Sequence, residues 1–205
     1  MALLVATAAP AEAQEPGSNY VRRLRLQAQL QTLNADLLSH DSATTVLQAL
    51  CDRHVADAPT IHARRIGTPA DPAAANAARA ELGAAANEPI RLRRVELTCG
   101  EAVLSRADNW YLPGRLTAGM NAALERTQTP FGVVVRPLAF QRRTLLARLL
   151  FNPLPCGWEA KAPAGLDEPL DLPAEVLQHR ALLQTPDGRP FSLLVETYTS
   201  AALIA

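Results

Sequence analysis

Pro186-Asp187-Gly188-Arg189 lies between two strand-like runs, 176–184 and 191–199. Asp-Gly tolerates the positive φ angles of tight hairpin turns, so this segment holds its two flanks to antiparallel pairing. A second pair repeats the pattern: runs 90–98 and 102–112 flank Cys99-Gly100-Glu101, and Pro113 stops the second run. Strands paired locally need no crossover helix. The expectation is therefore an α+β fold: a single domain with an antiparallel β-sheet and helices packed on it, not a doubly wound sheet.

The rest of the chain supplies the helices. Val21, Leu24, Leu30, Leu33 and Leu37 recur at near-helical spacing, so residues 20–38 read as an amphipathic helix. Asp41 and Ser42 are N-cap candidates for a second helix reaching His54, with Val46, Leu47 and Leu50 as its apolar face. Residues 61–66 read as a strand, and 67–87 as a loop with a short Ala-rich surface helix of structural role. A helix over 116–127 carries Met120, Ala123 and Leu124 on one side. Pro130 and Gly132 then force a turn, and Val133–Val135 leads on to a strand over 142–151. The proline-rich stretch 152–172 reads as a long surface loop, and the closing hairpin as the end of the chain.

At 205 residues, 48% apolar, the chain is long enough for one domain with a real core. Twenty basic residues balance twenty acidic ones, so no net field draws it to nucleic acid or anionic lipid. Lys161 is the sole lysine; an arginine-heavy composition reflects compositional bias or a use for planar carboxylate recognition. Residues 1–18 read as a leader. An apolar run, Met1 to Ala9, precedes Ala11-Glu12-Ala13, which has the small-x-small form of a signal-peptidase site, although no basic residue opens the run. Export to the periplasm or medium is the expectation from that pattern, with a cytoplasmic chain bearing an Ala-rich terminus as the alternative. The domain proper is placed at 19–205, with no stretch long enough to span a bilayer.

Cys51, Cys99 and Cys156 form no CxxC pair and no zinc-type cluster with histidine. An exported chain allows one disulfide, Cys51 with Cys99 favoured; three free thiols are the alternative in a reducing compartment. His40, His54, His62 and His179 share no metal-ligand spacing and read as cap, surface or structural residues. Trp110, Tyr111 and Trp158 read as packing residues. The chemically informative positions are charges inside strands. Period-2 alternation puts Arg93 on one face with Val95 and Leu97, and Glu196 on one face with Ser192, Leu194 and Tyr198. Such charges are either solvated ion pairs or the lining of a pocket. Arg142-Arg143 reads as a solvated strand end, with contact to an acidic ligand as the alternative.

In order along the chain, Leu92-Arg93-Arg94-Val95-Glu96-Leu97, Gly100-Glu101, Val103-Leu104-Ser105, Asn109-Trp110-Tyr111-Leu112-Pro113, Thr129-Pro130-Phe131-Gly132, Gly188-Arg189-Pro190 and Val195-Glu196-Thr197 resemble the chorismate lyase family. The likeness covers about 90–200, and 33–50 fits the family's N-terminal helices more loosely. Ligand-sensing domains of some bacterial transcription regulators share that fold; they follow a DNA-binding winged helix, and none is expected here.

The resemblance implies a chorismate lyase-like fold and elimination of pyruvate from chorismate, leaving 4-hydroxybenzoate on the way to ubiquinone, with no metal or organic cofactor. It implies an enclosed pocket for a small carboxylated aromatic or chorismate-like ligand. Arg93 would pair with a carboxylate, main-chain groups around Phe131 and Gly132 would complete its hydrogen bonds, and Glu196 would face the departing enolpyruvyl oxygen and give or relay a proton. Ala43 stands where the family's enzyme presents a methionine. Chorismate is a cytoplasmic metabolite, so an exported chain of this fold implies the alternative function: a non-catalytic binding protein for a small aromatic carboxylate.

Overall fold

The computed structural model describes residues 18–55, 57, 59–67, 71–161, 166 and 168–204. The expected leader lies outside these residues except for Ser18, which opens the first helix. Helix α1 (Ser18–Ser39) and helix α2 (Ala43–His54) come first, then strand β1 (His62–Arg65) and helix α3 (Pro72–Glu81). The hairpin β2 (Arg91–Cys99) and β3 (Ala102–Tyr111) follows, then α4 (Ala118–Arg126), the single-turn α5 (Phe131–Val134) and β4 (Gln141–Leu149). The hairpin β5 (Glu175–Gln184) and β6 (Pro190–Thr199) precedes a terminal turn of helix, α6 (Ala201–Ile204), so the chain does not end on the hairpin as expected.

All strand pairs are antiparallel, in the order β1-β2-β3-β6-β5-β4. The two hairpins thus meet through β3 and β6 at the centre, and the fold is the single-domain α+β architecture the turns demand. Gly188 sits in the β5–β6 turn at φ +83°, a conformation that its missing Cβ makes inexpensive.

One sheet face is covered by α1 and α2. Leu26, Leu30, Leu33 and Leu37 of α1, spaced four, three and four apart, pack with Val46, Leu47 and Leu50 of α2 on Val95, Leu97, Ala107 and Tyr198. Each buried leucine stabilises this layer by roughly 1.5–3 kcal/mol. Val21, expected on that apolar face, is instead 46% exposed, and Leu26 takes its place because it keeps the helical phase. Ser42 is the N-cap of α2, accepting from the Thr45 amide. Asp41 caps nothing and instead ties two elements together. Its Oδ1 accepts the backbone N–H of Arg142 at 2.7 Å, fastening the start of α2 to the start of β4.

The opposite face is covered near one end by α3, whose Ala78 packs with Leu82 against Trp110, Leu112, Leu182 and Leu193. The Ala-rich segment is therefore a cover for the second face, which its weak apolar pattern did not reveal. Cys51 and Cys99 form a disulfide that fixes α2 to the end of β2, and Cys156 is free and exposed. No described helix is long and apolar enough to cross a membrane.

Candidate functional site

The charges of β2 and β3 divide by face. On the face away from α1 and α2, Arg94 stands opposite Asp108 and pairs with it at 2.5 Å, and Glu96 lies in register between Arg64 and Arg106 and accepts from both. These are cross-strand ion pairs. Arg93 points the other way, into the layer beneath α2, and is 2% exposed.

Two rungs of the sheet, with one between them, build the site. Arg93 pairs in register with Asn109, which pairs with Leu194; two rungs along, Val95 pairs with Ala107, which pairs with Glu196, which pairs with His179. Side chains two residues apart share a face. Over these rungs lie the N-terminus of α2 and the Phe131-Gly132 turn that opens α5. A cavity of about 40 Å³ lies between them, with room for roughly three waters. Its lining includes Arg93, Glu196, Phe131, Gly132 and Ala43, so all five expected site residues come to one place. Gly132 allows a close approach: a Cβ there would lie 3.1 Å from Ser42 Oγ, tight against the cap of α2.

Arg93 is poorly compensated. Its Nη2 donates to the Thr129 carbonyl at 3.0 Å, while Nε and Nη1 meet no acceptor among the described residues. Burial, helped by the positive charge of Arg65, lowers its pKa from 12.5 to about 10. A guanidinium left this way costs folding energy and stands ready for an anion.

Glu196 is already engaged. Arg142 Nη2 donates to its Oε2 at 2.5 Å, and the Tyr198 hydroxyl donates to the same oxygen at 3.3 Å. The Arg142 side chain is 3% exposed, which corrects the reading of Arg142-Arg143 as a solvated end: Arg143 is exposed, but Arg142 turns inward and lines the cavity. Burial pushes the Arg142 guanidinium down, but the attraction of Glu196 and Tyr198 outweighs it, and the net shift is upward. Burial, then Glu196, pushes the Tyr198 phenol well above its ordinary value. His179 is fully buried, holds Asn34 Oδ1 at 2.8 Å through Nε2, and packs edge-on to Tyr198. Burial foremost, then Arg142, lowers its pKa to about 4, so it sits neutral beside the ion pair.

Sequence reasoning did not single out Arg142 as a cavity residue or Asn109 as a polar one. Asn109 Oδ1 accepts from Ser192 Oγ at 2.5 Å, and its buried Nδ2 has no partner among the described residues. The available signal was alternation: Asn109 occupies the position on β3 that faces Arg93 across the hairpin. Among the described residues no cluster of His, Cys, Asp and Glu has the makings of a metal site.

No family model matches the chain. The uncharacterized protein y4mC of Sinorhizobium fredii (strain NBRC 101917 / NGR234) is 45% identical over 194 residues, which cover 93% of this chain and 81% of that protein. Among solved structures, the chain is similar to PhnF from Mycobacterium smegmatis, at 14% identity and TM-score 0.47, over 79% of this chain and 65% of that one. It is also similar to a GntR-family transcriptional regulator from Bacillus cereus, at 9% identity and TM-score 0.39, over 68% of this chain and 91% of that one. The chain spans less than two thirds of PhnF and 58% of YydK from Bacillus subtilis.

Proposed function

The chain belongs to the family of the y4mC protein, and from that premise we propose that it binds a small aromatic carboxylate in the cavity beneath α2. The observation that carries this reading is Arg93, a buried guanidinium with two nitrogens facing no protein acceptor at the cavity wall. A ligand carboxylate supplies an acceptor to one of these nitrogens, in a fork with the second hydrogen of Nη2. Phe131 and Phe140 line the same space and provide aromatic walls for a ring. The present volume is too small for a benzoate-sized molecule, so binding widens the seam between α2 and α5.

Elimination of pyruvate from chorismate is the second reading, resting on Glu196 in the same cavity as Arg93. Its carboxylate accepts from Arg142 and Tyr198 on one oxygen. That arrangement makes Glu196 the anion of an ion pair rather than a proton donor, and favours binding over lysis. Exposure of the Cys51–Cys99 pair to an oxidising compartment is part of the proposal, since disulfides persist there.

Calorimetry with 4-hydroxybenzoate, and a pyruvate assay after incubation with chorismate, test both readings on the purified protein. Binding without pyruvate release supports the first; pyruvate release supports the second. Neither binding nor pyruvate overturns both.

A further inference from the structure

We propose that Asn109 is a specificity-determining residue that, with Arg93, makes the cavity select deprotonated acids over the corresponding amides. This inference rests on the carboxylate-binding reading and deepens it.

The argument starts from the buried polar atoms of the cavity that meet no protein partner among the described residues. They are Arg93 Nε and Nη1, Asn109 Nδ2 and Arg142 Nε, and every one is an N–H donor. Of the lining carboxylates, Glu196 accepts from Arg142 and Tyr198 through Oε2, and Asp41 holds the Arg142 backbone through Oδ1. The part of the wall built by Arg93 and Asn109 thus offers donors to a ligand. Buried groups of this kind find partners when the site is filled.

Asn109 is fixed so as to add to that set. The Ser192 hydroxyl donates to its Oδ1 at 2.5 Å, which assigns the amide oxygen to the sheet and leaves Nδ2 as the free end. Ser192 is itself fully buried, and Asn109 is only 2% exposed, so neither group has solvent as an alternative. Asn109 stands directly across the hairpin from Arg93, with its neighbour Leu194 on β6 flanking it from the far side. Arg93 and Asn109 therefore present three donor nitrogens from one rung. A carboxylate, with two oxygens and no proton, satisfies such a cradle. A carboxamide turned to these two residues brings an NH2 group that meets only N–H donors, since Asn109 Oδ1 is held by Ser192, and leaving a buried donor unpaired is costly.

The test uses 4-hydroxybenzoate and 4-hydroxybenzamide with the full chain and the variants Asn109→Leu, Asn109→Asp and Arg93→Met, each checked for folding by circular dichroism. The unaltered protein is expected to bind the acid at least about tenfold more tightly than the amide. Asn109→Leu is expected to weaken acid binding by about tenfold or more, the usual effect of losing one hydrogen bond to a charged group. Asn109→Asp exchanges a donor for an anion and should abolish acid binding while leaving amide binding the same or better; this variant keeps the size and the acceptor for Ser192, so it remains informative where Asn109→Leu fails to fold. If Arg93→Met abolishes acid binding but both Asn109 variants keep the acid-to-amide ratio, the Asn109 inference is wrong and the carboxylate reading stands. If the unaltered protein takes up neither compound, both fall together.

Discussion

Replacing Arg93 by methionine should leave the protein as stable as before or slightly more so, although the residue is buried at the centre of the sheet. Burial and the charge of Arg65 hold the guanidinium at about 10 in place of 12.5. At about 1.4 kcal/mol for each tenfold change in proton affinity, the charged side chain carries a penalty of roughly 3 kcal/mol. Its single hydrogen bond, to the Thr129 carbonyl, offsets about 1.5–3 kcal/mol of this. Methionine fills similar volume without the charge, so the expected change is a gain of about 0–1.5 kcal/mol, or a rise in Tm of up to roughly 6 °C for a chain of this length. Urea unfolding followed by the fluorescence of Trp110, buried in the layer under α3, measures it. In the same experiment a saturating carboxylate at about 100 times its Kd raises the stability of the unaltered protein by about 2.7 kcal/mol and that of the variant not at all. A loss of about 3 kcal/mol or more on substitution would refute the reasoning, since it would mean that Arg93 is compensated within the folded chain and has no vacancy for a ligand.

Three other outcomes follow from the same structure. Arg142→Met and Glu196→Leu should each cost about 3–5 kcal/mol, because each leaves a buried charge alone, whereas the double variant should come within about 1–2 kcal/mol of the unaltered protein; a double-mutant cycle in urea gives the coupling. His179 has a folded pKa of about 4 against an ordinary 6.5, so the unfolded chain binds the proton first, and stability falls by up to roughly 3 kcal/mol as pH drops from 6.5 to 4. His179→Gln should flatten that part of the stability-against-pH curve. Cys51 and Cys99 are 48 residues apart, so reduction or Cys99→Ser should cost about 4 kcal/mol by loop entropy, seen as a fall in Tm of roughly 8–16 °C.

The hairpins were legible because their turn chemistry is local: Asp187-Gly188 and the Cys99-Gly100 connection state where the chain reverses, whatever surrounds them. The inward face of Arg93 was legible for a similar reason, since Val95 and Leu97 mark it at a period of two. Glu196 was legible through Leu194. Arg142 was not, because its inward turn depends on partners remote in sequence. It belongs to the rung of Leu183 and reaches across β5 to a carboxylate two strands away, and the register there passes through irregularities at Thr144/Leu146 and Leu183/Gln184. Nothing within the Gln141-Arg142-Arg143 segment encodes that distance. Asn109 was legible as a strand residue but not as a ligand contact, because an amide in a strand has no local signature; only the hydroxyl of Ser192, 83 residues away, gives it an orientation.

The bond from Asp41 to the backbone of Arg142 makes the roof of the cavity and its inner charge parts of one mechanical unit. A lift of the roof at the start of α2 breaks this bond or pulls on the strand that carries the guanidinium held by Glu196. The contact thus joins the helix over the cavity to β4, the edge strand of the sheet.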